Sequence, residues 1–219
     1  IELDPRHAVA RARYEDALVT VGDTDRLLSL LDAEYEQAST DSERSGVLLR
    51  RASALLFDLA SEADALKAAQ RAISLGAGRG AHALLGDIHL SATRWTEAAE
   101  AYRTALGPDD VLDPSALPPR PLLGGEPVDR HAPTVVYLSR AAYAYEAAGR
   151  GADAWDLYAT ANLEDDGYGP AIAGLARLAL RRGNPDGAAT YVSSFKATGP
   201  HAAELNDQIR EVEQALGRR

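Results

Sequence analysis

Four alanines set the frame of this chain. Ala65, Ala98, Ala154 and Ala188 stand 33, 56 and 34 residues apart, and the middle step is an ordinary one widened by an insertion. One helical turn beyond them come Ala69, Tyr102, Tyr158 and Val192, and a further turn on come Ala72, Ala105, Ala161 and Phe195. Each set lies in the second of two amphipathic segments. The first segment of each pair carries a small residue at an equivalent place: Ser53, Gly86, Ala142 and Ala176. A single helical hairpin of this kind cannot bury its apolar faces alone, so repeated hairpins must stack on one another. Small residues at the crossings let the helices approach closely, and larger ones fill the grooves between neighbouring pairs.

Composition points the same way. Aromatic residues make up only 6% of the chain while apolar residues make up 46%, with alanine dominant. Alanine is the strongest helix former, and the β-branched and aromatic strand formers are scarce. The formal charge of −10 repels phosphate backbones and anionic lipid, which argues against nucleic-acid and membrane partners. No apolar run approaches the ~20 residues that span a bilayer. Without cysteine there is no disulfide, thiolate metal site or cysteine nucleophile, which fits a cytoplasmic or a periplasmic protein alike. Lysine occurs only at 67 and 196, an arginine preference that reads as a GC-rich, bacterial genome.

The segment from Ala81 to Leu106 carries Leu85-Gly86, Arg94-Trp95, Glu97-Ala98, Ala101-Tyr102 and Ala105-Leu106. In that arrangement the chain resembles the tetratricopeptide repeat family, whose period is about 34 residues. The resemblance implies an all-α, right-handed α-solenoid of helix-turn-helix repeats over 1–219. The repeats are expected at 8–40, 46–78, 79–107, 135–165 and 169–199, with a Pro/Gly-rich insertion at 108–134 and a C-terminal capping helix at 200–219.

The turns support that register. Gly22, Gly149 and Gly183 fall where first helices end and suit a left-handed C-cap. Asp23, Thr93 and Asn184 are the expected N-caps, with Pro185 at the first helical position. In the first repeat Glu15 and Glu34 stand where small residues belong, which predicts a pair that is strained, splayed or facing solvent. Ile1–Pro5 reads as the end of a preceding second helix, since Pro just past a helix end cannot continue it. With residues 1–7 as such a remnant, the chain is expected to be the C-terminal part of a longer array. At the other end Ala202, Leu205, Ile209, Val212 and Leu216 form one apolar stripe, while Arg210 occupies the small place and no second helix follows.

The insertion contains "LPPRPLL", residues 117–123. Such a stretch favours polyproline II and can dock on a partner's aromatic groove. The plainer reading is a tolerated insertion packed on the inner or outer face.

Signals for chemistry are weak. His82 and His89 lie two turns apart, wider than the i, i+4 pairing that holds zinc, and read as core or interface histidines. Asp109-Asp110 and Asp165-Asp166 lie in turns, where carboxylates cap helices. There is no phosphate loop, nucleophile elbow or dinucleotide fingerprint. No catalytic residue, cofactor or metal is expected, and the chain reads as non-enzymatic.

In proteins that resemble this family the first helices line a concave surface that meets a peptide or partner helix. Projected onto this sequence, that surface carries Arg50, Phe57, Asp87, Tyr143, Glu146 and Arg177, with Arg51, Arg140 and Arg181 beside it. Guanidinium groups bind carboxylates bidentately, so this strip suits a protein or peptide partner with acidic groups. Alternatively its arginines pair with Asp58, Asp87 and Glu146 and bind nothing. Exchanging Arg140 and Arg177 for glutamate is then expected to abolish capture and leave helicity unchanged. The leading function is a partner-binding scaffold within a larger protein. The alternatives are a structural spacer that self-associates at its N-terminal end, or a substrate-presenting accessory domain of an enzyme such as a transferase.

Overall fold

Every turn within a helical hairpin carries one residue with left-handed backbone. Glycine takes this conformation freely at Gly22, Gly149 and Gly183 (φ +71°, +79° and +73°), whereas Ala60 (+51°) and Thr93 (+55°) adopt it against their Cβ. Four of these turns share one hydrogen-bond pair. In the third hairpin the Thr93 amide donates to Leu90 O and the Arg94 amide to His89 O. The second hairpin differs, with the Ser61 amide reaching back to Leu55 O. This arrangement satisfies the carbonyls that a helix end leaves open and reverses the chain tightly. Thr93, expected as an N-cap, is therefore the left-handed residue that closes the preceding helix. The N-cap of the next helix is Arg94.

The structure, a computed structural model, describes residues 8–108, 117, 119–123, 126–128 and 131–217. Among these residues there are eleven helices and no strand. They pair as α1 (Ala8–Val21) with α2 (Thr24–Gln37), α3 (Asp41–Phe57) with α4 (Glu62–Ser74), and α5 (Arg79–Ser91) with α6 (Trp95–Leu106). After the insertion come α7 (Pro133–Ala147) with α8 (Gly151–Glu164), α9 (Gly169–Arg181) with α10 (Pro185–Ala197), and α11 (Ala203–Gly217) alone. The expected helical remnant at Ile1–Pro5 lies outside the described residues, as do Asp109-Asp110 and parts of the insertion.

Helix α3 starts at Asp41, ahead of the repeat start expected at residue 46. The reason is local. Thr40 Oγ1 accepts from the Glu43 amide at 3.2 Å, and Glu43 Oε2 accepts from the Thr40 and Ser39 amides at 3.1 and 2.7 Å. This reciprocal box satisfies amides that a helix start leaves open. Those two backbone amides are also the main reason the Glu43 carboxyl is held below its ordinary pKa. At α10 the Asn184 side chain accepts from the Gly187 amide at 2.9 Å, with Pro185 opening the helix.

The alanines of the repeat are where the helices touch. Ala65, Ala98, Ala154 and Ala188 are all fully buried. Each helix pair packs on the next, and α3, α5, α7 and α9 also meet directly in sequence. They form an inner layer, with the even-numbered helices outside. Close approach goes furthest at Gly86, where an added Cβ would lie 2.5 Å from the Tyr102 ring. Gly174 meets the ring of Tyr158 in the same manner. Helix α11 packs on the last pair, with Leu205, Ile209 and Val212 against Ile172 and Phe195. Arg210 points outward and pairs with Asp207 at 2.9 Å.

The inner layer is not empty. Leu117 packs against the core of the second and third repeats, and Leu122, Leu123 and Val128 pack against that of the third to fifth. The described residues of the insertion therefore lie on the concave side and cross it from α3 towards α9.

Candidate functional site

Three arginines lie along the groove, each in a different part of it, and the first two hold described residues of the insertion. Nearest α3, Arg120 places its two terminal nitrogens 3.0 and 2.6 Å from the two carboxylate oxygens of Asp58. Its guanidinium carbon lies 4.7 Å from the centre of the Phe57 ring. The charge is thus held by a bidentate pair and by the face of an aromatic ring, two arrangements that favour arginine over lysine. The pair is partly open to solvent, with 35% of the Arg120 side chain exposed and 19% of Asp58.

Deeper in the groove Arg140, projecting from α7, has no exposed surface. Its Nη1 donates to Asp87 Oδ1 at 2.6 Å, while Nε and Nη2 donate to the two oxygens of Glu126 at 2.9 and 2.6 Å. Nη2 also donates to the Arg120 backbone carbonyl. Tyr102 donates to Asp87 at 2.7 Å, and Tyr168 lies 3.5 Å from Glu126. Burial alone would depress the Arg140 pKa, but Asp87 and Glu126 outweigh it and hold the guanidinium well above its usual value. Burial, and next the neighbouring Asp87 carboxylate, push the Tyr102 hydroxyl up, so it stays a donor. Glu126 also accepts from the amides of Leu122 and Leu123 at 3.3 and 3.5 Å. The insertion's own backbone is gathered onto the same carboxylate.

At the far end Arg177, from α9, donates to Glu146 at 3.1 and 2.8 Å, and to Gln208 of α11. Burial opposes its charge, but the Tyr158 hydroxyl and Glu146 keep its pKa above the usual range. Arg181 reaches the same Glu146 at 3.0 Å.

The strip projected from the sequence is therefore brought together, but it faces the protein's own acids. Arg50 pairs with both Glu15 and Glu34. The two glutamates at small-residue places are thus drawn onto one cation. Arg51 pairs with Asp32. Asp87 and Arg140 are sealed beneath the insertion and cannot touch a partner while it is in place. Tyr143 is half-buried and meets Trp95 edge to face at 6.0 Å. Exchanging Arg140 for glutamate would crowd three buried carboxylates together, so that variant would report on folding and not on capture alone.

Arg120, Glu126 and Leu117 were not singled out in the sequence, although packing of the insertion on the inner or outer face was its plainer reading and "LPPRPLL" held the signal for docking. The dock is this chain's own concave face, in place of another protein's.

A cleft of about 470 Å³ stays open between α1, α2 and α3, ending at Leu117 and Arg120, and a smaller one of about 130 Å³ lies between Leu123, Tyr143 and Arg177. The walls of the larger cleft carry the carboxylates Glu15, Asp16 and Asp58 against the guanidinium groups Arg50 and Arg120, with Val19, Leu27 and Leu31 as the apolar part.

The histidines take structural places. His89 Nδ1 accepts from Arg94 at 2.8 Å, His131 pairs with Asp165 at 2.5 Å, and His201 stacks on Phe195 at 3.8 Å. Among the described residues no group of three His, Asp or Glu side chains is placed to hold a metal. No described helix is long and apolar enough to cross a membrane.

No protein-family model matches the chain, and no curated protein matches it in sequence. Solved structures do match. A crystal structure of MamA superposes with a TM-score of 0.63 at 15% identity, covering 94% of this chain and 97% of that one. PilF of Pseudomonas aeruginosa gives 0.65 at 12% identity, covering 95% and 90%. The structure of the APC/C hetero-tetramer Cut9–Hcn1 gives 0.63 at 14% identity, covering 91% of this chain but 35% of the matched one. The fold is the tetratricopeptide-like helical repeat, an all-α solenoid.

Proposed function

We propose that this chain is a protein-interaction scaffold, not an enzyme, and that its concave face holds extended polypeptide. One observation carries the reading: that face already holds such a stretch. Leu117, Pro119–Leu123 and Glu126–Val128 lie along the inner helices and are held by Asp58 at the end of α3, by Arg140 of α7 and by apolar contacts with the core. A surface that reads an extended chain through apolar seats and placed charges is how helical-repeat grooves take peptides. The open cleft between α1 and α3 continues the same path and is where a partner's segment would enter.

Selection from a displayed random-peptide library tests this reading. Peptides enriched on the chain are expected to lose binding when Thr20, exposed in the wall of the cleft, is replaced by tryptophan. They are expected to keep it when Gln70, exposed on the outer helix α4, is replaced in the same way. Enriched peptides that ignore Thr20→Trp would place recognition elsewhere and overturn the groove reading. Failure to enrich any peptide would favour the structural-spacer alternative.

A further inference from the structure

We propose that the Phe57–Asp58 corner is an arginine socket, that the partner is an extended proline-rich segment carrying one arginine, and that Arg120 fills the socket in cis until that segment displaces it. This inference rests on the groove reading above and names the chemistry of its partner.

The socket has the parts that recognise a guanidinium and little that would recognise anything else. Asp58 offers both oxygens to one planar group, and Phe57 offers its ring face to the same group. A lysine could use neither the bidentate geometry nor the stacking as fully. The approach to the socket favours a cation too. Asp16 joins Asp58 on the cleft wall, and Glu15 beside them is shared with Arg50, so three carboxylates stand against one guanidinium supplied by the helices, itself drawn onto Glu15 and Glu34. The acidic partner expected from the sequence would find its arginines engaged. A basic one meets complementary charge.

The two anchors of the insertion are unequal, and this makes displacement feasible. Glu126 is held by a fully buried arginine, whereas Arg120 is held at the groove's rim with about a third of its side chain exposed. Releasing Arg120 leaves Arg140 with Asp87 and Glu126 still in place. The Arg120 side chain can thus leave the socket while Glu126 keeps the insertion seated, and a wider release also gives up the Arg140 Nη2 bond to the Arg120 carbonyl. A tethered segment competes at a high effective concentration, on the order of millimolar. Exchange therefore requires a partner that fills the socket and also extends into the open cleft.

The probe is a synthetic peptide with the sequence of residues 117–123, labelled for anisotropy and titrated against the full chain. Wild type is expected to bind it weakly. Arg120→Ala, which empties the socket, is expected to bind it about ten- to hundred-fold more tightly, the range of one charged hydrogen-bonded pair. Leu117→Ser loosens the same stretch without touching the ion pair and is expected to give a gain in the same direction, which guards against a folding defect in either variant. The gain should vanish for a peptide with alanine in place of its arginine, and for the chain carrying Asp58→Asn with Arg120→Ala. Equal binding to wild type and both variants, or a gain that survives Asp58→Asn, overturns the socket. If that happens while library peptides still respond to Thr20→Trp, the scaffold reading stands and only the socket falls.

Discussion

Asp87 Oδ1 sits 2.6 Å from Arg140 Nη1, and the two side chains are 2% and 0% exposed although 53 residues separate them in sequence. Helices α5 and α7 supply the pair, and the chain between them turns back to lay Glu126 on the same guanidinium. The insertion is thereby tied into the core of the solenoid.

Removing Arg140 should therefore act on stability first. Arg140→Met leaves Asp87 and Glu126 buried without their cation. Breaking a buried pair from one side costs about 3–5 kcal/mol. Urea unfolding should show that loss, and Asp87→Asn, which keeps a hydrogen-bonding group for Tyr102, should lose less.

The repeat itself was legible in the sequence because its signals are local. The spacing of Ala65, Ala98, Ala154 and Ala188, and the glycines at 22, 149 and 183, come from sterics inside one hairpin. The capping box at Thr40–Glu43 was also readable, since Thr-x-x-Glu ahead of an apolar run is its signature. What each concave arginine faces was not readable. Arg120 and Asp58 are 62 residues apart, and no periodicity links a side chain in an insertion to one in a helix.

Gly86→Ala should destabilise the third repeat by about 1–3 kcal/mol, the usual cost of overpacking. The new Cβ would meet the Tyr102 ring at 2.5 Å, and the ring cannot swing away without breaking its hydrogen bond to Asp87. Thermal unfolding should show the loss, and the double variant Gly86→Ala with Tyr102→Leu should show less than the sum of the two single losses.

Thr93→Gly should raise stability. A β-branched residue at φ +55° carries a left-handed penalty of about 1–2 kcal/mol, partly offset by the added freedom of glycine in the unfolded chain. A net gain of roughly 0.5–1 kcal/mol is expected in chemical denaturation. Gly149→Ala, at the equivalent turn, should move the other way.

Stability should fall as the solution is acidified through the histidine range. Burial holds the pKa of His82 and of His89 below the ordinary 6.5, with Arg94 adding to the effect at His89. Above pH 6.5 both are neutral in either state and cost nothing. Below it the unfolded chain takes up protons before the folded chain does, so unfolding gains. Replacing both with glutamine should flatten the pH dependence of the unfolding midpoint between pH 7 and about 5.

The central claim is that Leu117 and Pro119–Leu123 lie in the concave groove. Because the chain has no cysteine, it can be tested by placing one pair and bridging it with a short bismaleimide. Cysteines at Ser53 and Leu117, which border the same cleft, should cross-link within one molecule in high yield. Cysteines at Gln70 and Leu117 should not. Equal yields for both pairs, or none for Ser53 with Leu117, would contradict the account.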